Sequence, residues 1–155
     1  IRGSLRSRSI ADLVAESLII EEQGVRELTL IAQDLTAYGR DLRGGANLAG
    51  LLGRLLAETA IPWIRLLYLY PTGISDILLS LMARESRIVP YLDIPLQHVS
   101  DTVLRRMNRP YTGDAIDQLL GRIRSHLPGC AVRTTLMVAI QLRRVPRSAT
   151  GSPLT

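Results

Sequence analysis

The chain has 155 residues, 46% apolar and 21% charged, with a net charge of +5 and every basic position of its 19 Lys-or-Arg set held by Arg. This composition excludes an intrinsically disordered chain, and no apolar run reaches the ~18 to 20 residues of a membrane span. The single cysteine, Cys130, excludes an internal disulfide and any zinc or iron–sulfur site built from cysteines of this chain alone.

The opening IRGSLRSRS is basic, but no apolar signal-peptide core follows it, so the cytoplasm is the expected compartment. It starts at Ile1 and reads as the interior of a longer polypeptide. Ser9 caps a first helix with Asp12 in its first turn; Ile10, Leu13, Val14 and Leu18 form its stripe and Gly24 stops it. Arg26 to Asp34 reads as a strand, followed by the Gly-rich loop LTAYGRDLRGG. Asn47 caps a second helix whose stripe is Leu48, Leu51, Leu52, Leu55 and Leu56. WIRLLYLYP is the next strand, closed by Pro71. Ser75 and Asp76 open a third helix with Ile74, Ile77, Leu78, Leu81 and Met82 inward, and Ile88 to Leu96 is the third strand. Ser100 caps a short helix carrying Val103, Leu104 and Met107. Thr112 caps a longer one carrying Ile116, Leu119, Leu120 and Ile123. AVRTTLMVAI, ending at Ile140, is the fourth strand, and residues 141–155 read as a disordered tail.

Repeated helix–strand alternation implies an α/β fold: about four parallel strands with flanking helices. An open doubly wound sheet and an arc of a TIM-like β/α barrel both fit. No glycine-rich nucleotide motif follows any strand, which favours the barrel arc. Strands buried on both faces are expected to be apolar throughout. In such barrels chemistry sits at the C-terminal strand ends, which here carry Gln33 and Asp34, then Tyr70, then Gln97 and His98. Each has a plainer reading: a turn for Gln33-Asp34, packing for Tyr70, a loop histidine for His98. Asp93 with His98 makes too thin a set for a metal. Arg105 and Arg106 read as solvated; Arg109 lies in a loop near the rim, suited to an anion.

Four segments carry a resemblance: LTLIAQDLTAYGRD, WIRLLYLYPTGISD, YLDIPLQHVSDTVLRRMNRPYT and VRTTLMV. Together, from Ile1 to about Val138, they resemble the central part of radical S-adenosylmethionine methylthiotransferases. Within these they resemble the RimO type, which modifies an aspartate of a small-subunit ribosomal protein. Ala32, Gln33, Asp34 and His98 favour that branch over the tRNA-adenosine branch, the alternative.

The resemblance implies a partial β/α barrel of the radical S-adenosylmethionine type over residues 1–140, binding S-adenosylmethionine and four-iron four-sulfur clusters. It implies that Gln33 and Asp34 lie near the methionyl part of the cofactor. Gln97, His98 and Ser100 would lie near the ribose, and Arg109 would meet the carboxylate. Thr134 and Thr135 would line the barrel, and Tyr38 and Gly39 would shape a loop. No general base is assigned. The family's cluster loop of three cysteines is not present, so the chain alone is expected to be inactive, or a non-catalytic remnant. The departure after Val138 reads as a change of reading frame. The expected partner is the ribosomal protein; membrane contact is not expected, and nucleic acid only as ribosome or tRNA.

Overall fold

The computed structural model describes residues 3–138. The Ser9 hydroxyl accepts the Asp12 N–H, so helix α1 runs Ile10–Glu22, and Gly24 in left-handed backbone (φ +79°) ends it. Its buried line passes through Val14 and Ser17, not Leu18, which is exposed. The line can include a polar group because it is satisfied: Ser17 donates to the Leu13 carbonyl (2.8 Å). Leu18 lies about 100° around the helix from Ser17 and so faces solvent.

Strand β1 (Glu27–Leu30) leads through a 3-10 turn at Leu35–Ala37 to helix α2 (Leu48–Glu58). The Asn47 side chain caps α2 by accepting the Gly50 N–H (2.9 Å), and the expected leucine stripe is buried at Leu48, Leu51, Leu52 and Leu55, with Leu56 half-buried. At the other end of α2, Arg87 donates to the carbonyls of Leu56 and Ile61 and to the Thr59 hydroxyl. It thereby ties the helix end to the start of the third strand. Strand β2 (Trp63–Leu66), a 3-10 turn at Pro71–Gly73 and helix α3 (Asp76–Arg84) follow. Ser75 caps α3, whose buried residues are Leu78, Leu79 and Met82. Ile77, expected inward, is 72% exposed. Strand β3 (Ile88–Asp93), helices α4 (Asp101–Arg106) and α5 (Gly113–His126) and strand β4 (Ala131–Arg133) complete the order. The strands are shorter than the sequence suggests. The division at residue 140 and the tail at 141–155 lie outside the described residues. Among the described residues, no helix is long and apolar enough to cross a membrane.

The sheet order is β1-β2-β3-β4 and every pair is parallel. A doubly wound sheet reverses its strand order at a switch point. Here the order never reverses, and α1 packs on α2, α2 on α3 and α3 on α5 in a single row. That is a barrel arc with its helices on one side. Leu28, Leu30, Ile64, Leu66, Ile88 and Leu92 face those helices and make the core.

The opposite, concave face overturns the expectation of apolar strands on both sides. It carries Glu27, Thr29, Arg65, Tyr91, Asp93 and Arg133, alternating with the core residues. Polar groups can stay there because they pair with one another. Arg65 binds Glu27 through two N–H groups and lies 5.3 Å from the centre of the Tyr91 ring. Hydrogen bonding from Arg65 holds the Glu27 carboxyl below its usual value near 4.5. A lowered folded-state pKa means the pair stabilises above the ordinary glutamate range and loses that effect as pH falls through the folded value. Glu27→Gln is therefore expected to reduce the wild type's drop in urea midpoint between about pH 5 and pH 3. Identical acid limbs for the two proteins would count against this.

Candidate functional site

Beyond each strand the chain bends over the C-terminal edge of the sheet. The bends enclose a cavity of about 570 Å³, lined by Gln33 and Asp34 after β1, Tyr68 to Tyr70 after β2, Pro95 and Gln97 after β3, Thr135 after β4, and Arg109. Its size suits a nucleotide-like ligand. Asp34 is committed locally: its carboxylate accepts the Thr36 N–H (2.9 Å) and hydroxyl, capping the 3-10 turn. Thr36 in turn lies against Gly73, where a Cβ would come within 2.1 Å of the Thr36 hydroxyl oxygen. The loops after β1 and β2 are thus locked together without a side chain at 73.

Among the described residues, three non-glycine positions have positive φ: Tyr68 (+56°), Gln97 (+66°) and Asn108 (+52°). Tyr68 and Gln97 line the cavity and Asn108 precedes Arg109. Such backbone costs about 1 to 3 kcal/mol per residue and gathers at binding sites. At Gln97 the cause is a three-residue turn, with the His98 N–H donating to the Leu96 carbonyl (2.8 Å). The same residue is gripped from β4's continuation: its N–H donates to the Thr135 carbonyl (2.9 Å) and its carbonyl accepts the Met137 N–H (2.7 Å). At Asn108 the cause is the end of α4. The Arg109 N–H reaches back to the Leu104 carbonyl (2.9 Å) and the Asn108 N–H to Arg105 (3.1 Å), a Schellman closure with asparagine in the left-handed position.

That closure points Arg109 toward the cavity. Its guanidinium lies 5.9 Å from the centre of the Tyr70 ring, and its Nε is buried without a hydrogen-bond partner among the described residues. Buried donors are nearly always bonded, so an orphan here marks a place for an acceptor. Tyr70 meets Tyr111 edge to face at 5.6 Å, and the Tyr111 hydroxyl donates to the Leu96 carbonyl (3.1 Å). Burial pushes the Tyr111 phenol above its ordinary pKa, with a smaller push from Tyr70, which keeps that hydroxyl protonated as a donor.

The cavity therefore brings together Gln33, Asp34, Gln97 and Arg109. His98 and Ser100 do not line it: the His98 Nδ1 accepts the Ser100 N–H (2.9 Å), and Ser100 occupies the cap position of α4 without a side-chain bond to it. Of the two threonines expected on the last strand, both lie just past β4: Thr135 lines the cavity, whereas the Thr134 hydroxyl accepts the Leu96 N–H (3.2 Å). Tyr68 and Pro95 were not legible beforehand. Tyr68 sits within an apolar run and nothing in its neighbours marks the positive φ. Asp93 is buried on the concave face, its carboxylate held by Arg133 (3.3 Å) and the Tyr68 N–H (3.4 Å). Cys130 precedes β4, at the end of the sheet away from the cavity, and burial raises its thiol pKa.

No family model matches the chain. Curated relatives do. The chain is 56% identical over 138 residues to the ribosomal protein uS12 methylthiotransferase RimO of Desulfotalea psychrophila. It is 51% identical to the protein of that name from Geotalea uraniireducens and 46% to that from Geobacter sulfurreducens. Each match covers 89% of this chain and 31% of the relative, so the chain spans about a third of the length of these relatives. These names carry the ribosomal-protein branch that Ala32, Gln33, Asp34 and His98 favour. Identity of this level over 89% of the chain shows that it belongs to the RimO family of methylthiotransferases.

Proposed function

We propose that this chain is the cofactor-holding arc of an enzyme that uses S-adenosylmethionine to attach a methylthio group to an aspartate of a small-subunit ribosomal protein, in the cytoplasm. The observation that carries the reading is the buried Nε of Arg109, without a partner among the described residues, in a cavity of cofactor size. S-adenosylmethionine ends in a carboxylate, the group an arginine fork matches best. Gln33 and Gln97 offer amides to its polar atoms, and Tyr68 and Tyr70 offer ring faces to its base. When bound beside a reducing iron–sulfur cluster, the cofactor supplies the hydrogen-abstracting chemistry that side chains cannot.

The residues of this chain fit the cofactor and do not fit the cluster. A four-iron cluster with one iron left open takes three thiolates; the chain has Cys130 alone, at the far end of the sheet. The part of the reaction assigned to these residues is therefore binding and orientation. Arg109 clamps the carboxylate end, the Leu96–His98 turn presents Gln97, and the Asp34-capped turn closes the β1 side. By itself the chain binds S-adenosylmethionine without cleaving it. Isothermal titration of the full chain is expected to show saturable one-to-one binding of S-adenosylmethionine, displaced by S-adenosylhomocysteine. No heat of binding, together with unshifted amide resonances for Gln33, Gln97 and Arg109, would sink the proposal.

A further inference from the structure

We infer that Arg133 is a specificity-determining residue that grips the carboxylate of the acceptor aspartate; this rests on the reading above and names how the same site selects its substrate. Arg133 lies on the concave face, in register with Asp93. Its side chain is 59% exposed while its partner Asp93 is 2% exposed. It spends one N–H on Asp93, from Nη1 at 3.3 Å, and its other N–H groups have no partner among the described residues. The second concave-face arginine is different: Arg65 gives two N–H groups to Glu27 and covers Tyr91. Among the described residues, Arg133 is thus the concave-face arginine with donors to spare.

Its anchorage ties it to the cavity. Asp93 takes Arg133 on one carboxylate oxygen and the N–H of Tyr68, a cavity-lining residue, on the other. Thr135, just past the end of β4, also lines the cavity. Arg133 therefore stands on the concave side of the cavity's rim, where a substrate reaching the bound cofactor would pass. The buried Asp93 carboxylate tethers one Nη of the exposed guanidinium, and the planar fork leaves its outer N–H groups open to a second carboxylate.

The probes are a short peptide of the ribosomal-protein acceptor sequence and its twin with asparagine in place of the aspartate. Both are titrated into the full chain saturated with S-adenosylmethionine and followed by amide chemical shifts. Wild type is expected to prefer the aspartate peptide by about tenfold, the lower end of what a charged hydrogen bond is worth. Arg133→Gln is expected to abolish that preference while leaving S-adenosylmethionine affinity within about twofold, too small a change for the loss of a whole contact. Arg133→Lys keeps the charge without the fork and should keep only part of the preference; it also serves if the glutamine variant does not fold. No preference in wild type, or an undiminished preference in Arg133→Gln, overturns the inference while cofactor binding stands. Failure of wild type to bind S-adenosylmethionine overturns the reading beneath it, and the inference with it.

Discussion

Gly39→Ala is expected to destabilise the fold by about 3 kcal/mol, a large share of the about 5 to 15 kcal/mol that holds a domain together. Gly39 is buried with φ +84°, and a Cβ there would lie 2.2 Å from the Ala46 carbonyl oxygen and 2.5 Å from its carbon. Left-handed backbone costs a non-glycine residue about 1 to 2 kcal/mol by itself. The clash adds to that because both atoms are main chain and cannot rotate aside. Relief requires moving Ala46 away, and the next residue is Asn47, whose cap on α2 is worth about 1 kcal/mol. The Gly39 N–H also donates to the Ser7 hydroxyl, so a shift loosens the N-terminal segment. Gly44→Ala is the control: φ is +88° there, but nothing lies within 4 Å of the added carbon. Urea denaturation should show the Gly39 variant losing about 1 to 2 kcal/mol more than the Gly44 variant. Equal losses would mean the loop yields freely and the close approach to Ala46 is unimportant.

Arg109→Gln is expected to weaken S-adenosylmethionine binding by about tenfold to a hundredfold while leaving the melting temperature nearly unchanged. A hydrogen bond to a charged group is worth about 1.5 to 3 kcal/mol, and each 1.4 kcal/mol is a factor of ten. The fold has little to lose, because the Arg109 Nε has no partner to give up among the described residues and the main-chain closure of α4 uses only its N–H. What remains is the contact with Tyr70 at 5.9 Å, a small term at a half-open site. Arg109→Lys should recover little affinity, since an ammonium cannot present two parallel N–H groups to a carboxylate. Titration calorimetry on the three proteins gives the answer. A loss of affinity that tracks a loss of thermal stability would make Arg109 a packing residue and not a carboxylate clamp.

Helix starts were legible in the sequence because capping is a contact between neighbours. Ser9, Asn47, Ser75 and Thr112 each accept an N–H three residues on, as their positions before apolar stripes implied. The stripes of α2 and α5 were legible too, since leucine and isoleucine at helical spacing have one way to hide. The errors fall where periodicity is ambiguous. Leu18 and Ile77 belong to apolar-rich helices with more hydrophobic residues than one face can bury, and polar Ser17 took a buried place because a carbonyl was within reach. The concave face was misjudged for a related reason: Glu27, Thr29, Arg65, Asp93 and Arg133 look like interruptions of apolar strands until the register sets them side by side.

The candidate site divides in the same way. That Gln33, Asp34 and Gln97 stand at one rim follows from chain order alone, because parallel strands all end on the same side of the sheet. That Arg109 joins them depends on the closure of α4, and that Tyr68 faces the cavity depends on a positive φ that no local pattern announces. His98 and Ser100, alike in sequence position to Gln97, bond each other and leave the cavity's lining. Alone, then, the sequence determined the elements, their parallel order and the family, all of which rest on residues near one another in the chain. The tertiary structure decided which polar groups keep a free donor. That is a property of the whole set of neighbours competing for each hydrogen bond, and those neighbours meet only once the sheet has formed.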